Sequence, residues 1–384
     1  MEYGRRVHVG IDIEQFVRDP YGSGIQRVLQ HLAMDWPTAQ IAADFVVPIE
    51  DQYGLLSPEQ AATLLAIPFL PRAPGDDLRK RVRDHLLELD PLRVKSGDLL
   101  AIYDSWLLPE VSYLPQVLAR FELFAKCMPT AMIGYDVLPM SDPANYRFTP
   151  GSAARVSQYF RHLATADAVV CISEYARAGI LERLRRDPAL SITIAHPGGD
   201  QLPARAGLPP TRPLFTRLGT LEARKRPVEI LEAFDSARAE SGLEADLLFI
   251  GDPSASDEQI NDIVRAAAAG SSVRWVRGAS DVDVHDLVQR STALLSIGTE
   301  GYGIPVLEAI RLGTPVLFDG IQPAAELMLG HGARRVDGLS RDGLARAFLT
   351  YSQPDALSDL RTELDPSAVP TWRAFAEGVA GSIP

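Results

Sequence analysis

Short runs of Val, Ile and Leu alternate along most of the chain with longer stretches of helical period, and this rhythm restricts the fold more than any other feature. A strand buried on both faces reads as a near-continuous apolar run, and a helix between two such strands is the crossover that parallel pairing requires. In the first half the runs predict strands at Val7 to Ile13, Ala43 to Ile49, Leu99 to Tyr103, Ala131 to Tyr135, Ala168 to Ile172 and Ile192 to Ala195. A second series follows at Leu214 to Leu218, Leu247 to Ile250, Val273 to Val276, Ala293 to Ser296 and Pro315 to Phe318. Between the two series, the clustered Pro and Gly of PGGDQLPARAGLPPTRP (Pro197 to Pro213) forbid regular structure and read as a linker. The expectation is an α/β chain of two doubly wound domains, with ligands at the carboxyl ends of the strands. A length of 384 residues, past the size at which one core stops growing, agrees.

Composition narrows the function. Lys+Arg 38 against Asp+Glu 50 leaves a net charge of −12, which repels nucleic acid. Cys127 and Cys171 are too few for a disulfide framework or a Cys-rich zinc site, and both read as small apolar residues in a reducing compartment. The opening MEYGRRVHVGIDIE has no apolar core of a leader, and no run of about 18 uncharged apolar residues follows, so neither a signal peptide nor a membrane span is predicted. The basic run Arg79 to Arg83 reads as a solvated helix face, with anionic lipid headgroups or a phosphate-bearing acceptor as the alternative. His196, next to Pro197, reads as structural, and Glu174 as either a helix-start residue or a site residue. After the break at Asp365-Pro366, TWRAFAEGVAGSI predicts a short helix with Trp372 and Phe375 on one face, reaching back to the first domain.

The most informative segment is EGYGIPVLEAIRLGTP, Glu300 to Pro315. Two glycines, Gly301 and Gly303, let the loop through Tyr302 and Ile304 turn its backbone amides outward, Pro305 suits a helix start, and Gly313 with Pro315 ends that helix. A loop leading into a helix N-terminus is an anion site, and diphosphate is a frequent occupant. Glu300 before the loop and Glu308 on the helix bracket that anion with carboxylates able to accept hydrogen bonds from a sugar diol.

The segment resembles the E-x7-E motif of the retaining glycosyltransferases of family four, which have the GT-B fold. LGTLEARKRPVEILEAF resembles that family's phosphate-binding segment, and VRGASDVDVHDLVQRSTALLS and PAAELMLGHGA resemble the stretches before and after the motif. In the first domain, GSGIQRVLQHL resembles the glycine loop and first helix, GYDVLPMSDP the acceptor-side loop, and AVVCISEYARAGI a strand–Ser–Glu–helix element. The resemblance implies a GT-B fold with two doubly wound Rossmann-like domains facing across a cleft: an acceptor-side domain at 1–199, a donor domain at 200–365, and a C-terminal helix at 366–384.

It implies transfer of a hexose or deoxyhexose from a nucleoside diphosphate sugar to an acceptor hydroxyl, with retention at the anomeric carbon. The closest likeness is to bacterial mannosyl- and rhamnosyl-type transferases of surface-polysaccharide assembly. The implied setting is cytoplasmic, with peripheral contact at the inner face of the membrane; the partners are the donor and a glycan or lipid-linked acceptor, not nucleic acid. Carried over residue by residue, Glu308 meets the nucleotide ribose, Glu300 the donor sugar, Gly301 to Ile304 the sugar hydroxyls and diphosphate, Lys225 the leaving diphosphate, and Gly24 the same diphosphate from the first domain. Lys225 is one of only four lysines (with Lys80, Lys95 and Lys126), as befits a point-charge phosphate contact. Three positions depart from the family pattern. Thr220, a donor-binding candidate, stands where many relatives have an arginine, Tyr135 with Asp136, catalytic candidates of the first domain, where many have His-Asp with the histidine on the donor sugar, and Ser296-Ile297 where Pro-Ser is usual. No cofactor or metal is expected, since no Asp-x-Asp stands at a strand end.

Two other readings compete. A nicotinamide dehydrogenase would need a third glycine, which Gly22-Ser23-Gly24-Ile25-Gln26-Arg27 lacks. A non-catalytic relative binding a nucleotide sugar or partner protein is opposed by the intact Glu300, Lys225 and Glu308.

Overall fold

A computed structural model describes residues 7–67, 75–141, 151–208, 210–253 and 257–384. The described residues divide into two compact units: the first lies within 7–141, 151–197 and 372–384, the second within 198–371.

The first unit is built on an eight-stranded sheet: β1 (His8–Asp12), β2 (Ala42–Ile49), β3 (Gln52–Leu56), β4 (Leu92–Val94), β5 (Ser105–Leu108), β6 (Thr130–Gly134), β7 (Ala168–Cys171) and β8 (Ser191–Ile194). Their order is β4-β3-β2-β1-β5-β6-β7-β8. The pairs from β2 through β8 are parallel, as the apolar runs predict, but β3 and β4 add an antiparallel edge that the expected parallel sheet lacks. A further difference concerns Leu99 to Tyr103, where residues Leu99–Ile102 form one helical turn and the strand begins only at Ser105. Both LLAIY and SWLL are short apolar runs, which periodicity cannot divide between helix and strand. Pairing decides instead: Val9 sits opposite Ser105 in the ladder.

Trp106 and Phe124 meet edge to face at 4.6 Å in the core of this unit. A charged group is buried beside the sheet as well. Arg120, 8% exposed, donates to Asp12 Oδ2 from Nε (2.8 Å) and Nη2 (2.6 Å), to Glu14 Oε2 (2.9 Å) and to the Tyr53 hydroxyl (3.2 Å). Such a triad survives burial because its hydrogen bonds satisfy most of its polar atoms. The helix Trp372–Ala380 belongs to this unit; Trp372, 2% exposed, stacks on His31 with ring centroids 4.2 Å apart.

The second unit carries a six-stranded parallel sheet of β9 (Leu214–Leu218), β10 (Asp246–Ile250), β11 (Val273–Val276), β12 (Ala293–Thr299), β13 (Val316–Ile321) and β14 (Ala333–Arg335), ordered β11-β10-β9-β12-β13-β14. Phe215, Phe234 and Phe348 pack edge to face between the sheet and the helices Pro227–Ser241 and Arg341–Tyr351. The described part of the Pro/Gly-rich segment lies on this unit. Arg205 N donates to Arg311 O (2.8 Å), Leu208 N donates to Gln289 O (3.0 Å), and a Cβ on Gly207 would meet the Gly313 carbonyl at 2.2 Å. Irregular backbone is thus tied down by the ends of two helices, which supply the partners a regular element would have given.

Candidate functional site

The second unit's site forms where the carboxyl ends of β9 and β12 meet the turn that follows β9. After Gly219, residues Ala223–Lys225 make a short 3-10 turn, and Arg226, held at φ 54°, redirects the chain into the helix Pro227–Ser241. A non-glycine residue in the left-handed region is costly and persists only where its surroundings fix it. Here Arg226 is fixed by its Nε donating to Glu229 Oε1 (3.1 Å) and Nη1 to the Leu339 carbonyl (3.0 Å). The turn lies hard against β12. A Cβ on Gly298, whose φ is +99°, would stand 2.2 Å from the Arg224 carbonyl, so only glycine lets the two segments touch.

This contact brings Glu300 into a cationic nest. Lys225 Nζ lies 3.2 Å from Glu300 Oε1, Arg224 Nη1 3.0 Å from Oε2, and Arg217 Nη2 3.7 Å from Oε1. Arg224 also donates to the Thr299 carbonyl (2.6 Å) and pairs with Glu222 (2.5 Å). Burial alone would raise the Glu300 pKa, but Lys225, Arg224 and Arg217 together hold it down at about 2. Burial lowers the pKa of Lys225, with Glu300 opposing. Three cations face two carboxylates, Glu222 and Glu300, so the nest keeps a surplus positive charge.

In the loop after Glu300 the left-handed backbone expected of both glycines is taken up by Gly303 and not by Gly301. Gly303, at φ 105°, caps the helix Ile304–Arg311, with Pro305 in its first turn. Tyr302 is buried, which pushes its phenol pKa up, and its carbonyl accepts from Ala324 N (2.9 Å). Glu308, 6% exposed, accepts a 2.6 Å hydrogen bond at Oε1 from Gln201 Nε2. Ser296 donates to Gln322 Oε1 (2.7 Å), and Gln322 Nε2 donates in turn to the Gly298 carbonyl (3.1 Å), bracing the end of β12.

The structure therefore gathers Lys225, Glu300 and Arg224 into one cluster, with Thr220 in the same turn and Gly301 to Glu308 in the adjoining loop and helix. Sequence reasoning missed Arg217, Glu222, Arg224 and Gln201. Only Arg217 left a signal, as a lone arginine in the apolar run LFTRL at a strand's carboxyl end.

Gly24, Tyr135 and Asp136 lie in the first unit. Gly24 opens the helix Gly24–Met34, whose cap Ser23 accepts from Gln26 N (3.2 Å). The Tyr135 hydroxyl, buried with its pKa raised, donates to the Pro109 carbonyl (2.8 Å), while Asp136 accepts from Leu138 N (2.9 Å). Neighbouring Glu110, 1% exposed, accepts from Phe16 N (2.9 Å), and burial pushes its carboxyl up to about 8. Part of the acceptor-side segment, Asp142 and Pro143, lies outside the described residues. Ser173 caps its helix by accepting from Ala176 N (3.1 Å), leaving Glu174 exposed beside Arg177. His196 Nδ1 lies 3.2 Å from the Ile172 carbonyl. Cys171 is buried, as its reading as a small apolar residue leads one to expect, whereas Cys127 is exposed. In the basic run, Arg79 pairs with Asp19 and Lys80 with Asp84, as on a solvated face. Among the described residues no helix is long and apolar enough to cross a membrane, and no group of three or more His, Cys, Asp or Glu is arranged to hold a metal ion.

Residues 200–336 match the family model "Glycosyl transferases group 1", a span that contains the whole cationic nest and the glycine loop. An Escherichia coli serotype-specific mannosyltransferase, WbdA, is 25% identical over 267 residues, covering 63% of this chain and 32% of the relative. The O-antigen chain mannosyltransferase B of Escherichia coli is 24% identical over 146 residues, 38% of each chain. The chain thus spans about a third of the length of the curated relatives it matches. Among solved structures, WaaG, a glycosyltransferase involved in lipopolysaccharide biosynthesis, superposes with a TM-score of 0.63 at 14% identity, covering 98% of this chain and 99% of that one. Anabaena HepE, solved in complex with UDP and glucose, gives 0.63 at 12% identity with the same coverage. The second unit thus carries the match to the group 1 glycosyl transferases, and the two units have the Rossmann-like folds of the GT-B structures on which the chain superposes.

Proposed function

We propose that the protein transfers a sugar from a nucleoside diphosphate sugar to an acceptor hydroxyl, with retention of anomeric configuration, in bacterial polysaccharide or glycoconjugate synthesis. The observation that carries this reading is the nest itself: Lys225, Arg224 and Arg217 leave a net positive charge beside a glycine loop and a helix N-terminus. Negative charge grows on the diphosphate as its bond to the anomeric carbon breaks, and fixed cations and amides stabilise that state more than the ground state. Lys225 and Arg224 meet the diphosphate, Glu308 the ribose, and Glu300 a hydroxyl of the donor sugar. The departing diphosphate takes the acceptor proton, while the sugar passes through an oxocarbenium-like state.

The mannosyltransferase relatives support a hexose donor, with a deoxyhexose as the alternative within the same chemistry. The acceptor is a glycan or lipid-linked glycan, and the protein works at the inner face of the membrane. No divalent ion is required, because the cations and amides supply the neutralisation a metal would give. A thermal-shift screen of GDP, UDP, dTDP and ADP identifies the base, since a ligand that binds only the folded state raises Tm. Release of that nucleoside diphosphate from its sugar conjugate, in the presence of acceptor and EDTA, then tests turnover. Binding without release would sink the catalytic reading, and activity dependent on added Mg²⁺ or Mn²⁺ would sink the metal-free site.

A further inference from the structure

Arg217 is an expensive residue for its position. It lies on β9 with 5% of its surface exposed, on the face that two residues earlier presents Phe215 to the core. A buried cation is tolerable when hydrogen bonds satisfy it, yet this one is served incompletely. Nη1 donates to the Leu218 carbonyl, Nη2 stands 3.7 Å from Glu300 Oε1, and Nε has no hydrogen-bond partner. Burial accordingly lowers its pKa, with Glu300 opposing.

The other two cations are placed differently. Arg224 and Lys225 come from the turn after β9, and each has a second carboxylate, Glu222, within reach at 2.5 and 4.0 Å. They can exchange Glu300 for an incoming anion by side-chain rotation. Arg217 is locked in a central strand and cannot follow them.

We propose that Arg217 is a positioning residue: the fixed counter-charge that keeps the Glu300 carboxylate in place while Arg224 and Lys225 turn to the diphosphate. The proposal rests on the reading of this nest as a donor site. It assigns Arg217 no phosphate contact. Its effect belongs to the step in which Glu300 orients the sugar, and it is absent when the nucleoside diphosphate binds alone.

The test compares Arg217→Met and Arg217→Lys with wild type. Arg217→Met is expected to lower kcat by about 10- to 100-fold. The donor KM and the Kd of free nucleoside diphosphate are expected to stay within about threefold, and Arg217→Lys to recover part of the turnover. Unchanged kcat in a folded Arg217→Met protein overturns the proposal. So does a tenfold rise in the Kd of free nucleoside diphosphate, which would make Arg217 a phosphate ligand.

A thermal-unfolding cycle over Arg217→Met, Glu300→Gln and the double variant serves where turnover cannot be read. Coupling through Glu300 requires a double-variant Tm loss smaller than the sum of the two single losses. Additive losses overturn the proposal. Wild type without transfer activity on any donor overturns the donor-site reading instead, and the unfolding cycle still decides whether Arg217 acts on Glu300.

Discussion

Glu300→Gln removes one negative charge from beneath three cations, and its cost follows from the carboxyl's own titration. The group sits at about 2 in the folded protein against an ordinary 4.5, a difference worth about 3 kcal/mol of folding stability. Because the folded value is the lower one, that stabilisation is complete above about pH 4.5 and is lost as pH falls towards 2. The Glu300 side chain is 19% exposed, so solvent screens the cluster little. The expected penalty at pH 7 is about 3 kcal/mol at most, since the glutamine carbonyl still accepts one N–H from Arg224. It should shrink steadily below pH 4.5 and vanish near pH 2. Trp275 is the single tryptophan of the second unit, the other three being Trp36, Trp106 and Trp372. Urea unfolding of 5-fluorotryptophan-labelled protein, followed by ¹⁹F resonance at several pH values, therefore isolates the relevant unit. A gap between wild type and variant that stays constant from pH 7 to pH 3, or no gap at pH 7, would refute the reasoning.

Lys225→Ala should lower turnover about 10²-fold while the protein stays folded, as loss of one preorganised cation does; wild-type turnover in steady-state assays would remove it from the site. Glu308→Gln should weaken free nucleoside diphosphate and intact donor alike, by about tenfold for one charge-assisted hydrogen bond, as titration calorimetry would register. A loss confined to the intact donor would move Glu308 from the ribose to the sugar. Glu110→Gln tests the first unit in the opposite sense to Glu300. Its folded value of about 8 lies above the ordinary 4.5, so the stability it contributes is complete below 4.5 and lost as pH rises through 8. The variant should match wild type at pH 4 and exceed it at pH 9 by about 5 kcal/mol at most, and equal Tm differences at both pH values would contradict this.

The parallel ladders were legible because each central strand is apolar on both faces: the runs at Ala131, Ala168, Leu214 and Leu247 each lie within a residue of an observed strand. The β3–β4 edge was not, since QYGLL and LRV are short, half-exposed and unlike buried strands. Leu99 to Tyr103 failed because a single helical turn and a strand of five apolar residues look alike in sequence. In the site, Lys225 and Glu300 were readable as members of local motifs. Their mutual contact was not, being set by the Gly298 close approach between segments 75 residues apart. Gln201 and Arg217 were hidden for the same reason. Gln201 meets Glu308 across a separation of 107 residues, and Arg217 counts as one polar interruption of a strand until the partner strand's carboxylate is placed beside it.

The helix Trp372–Ala380 completes the first unit after the whole of the second has been made. Vectorial synthesis therefore delivers the helix Gly24–Met34 still lacking its cover of Trp372, Phe375 and Val379, each of which ends at 2% exposure or less. During the time the ribosome needs for residues 198–371, on the order of ten seconds or more at 5–20 residues per second, the surface around His31 stays uncovered. The first unit emerges earliest yet locks last. Chaperone engagement in the nascent chain should concentrate there, and proteolytic clipping after residue 371 should loosen the amino-terminal unit, leaving the sequence-adjacent one intact.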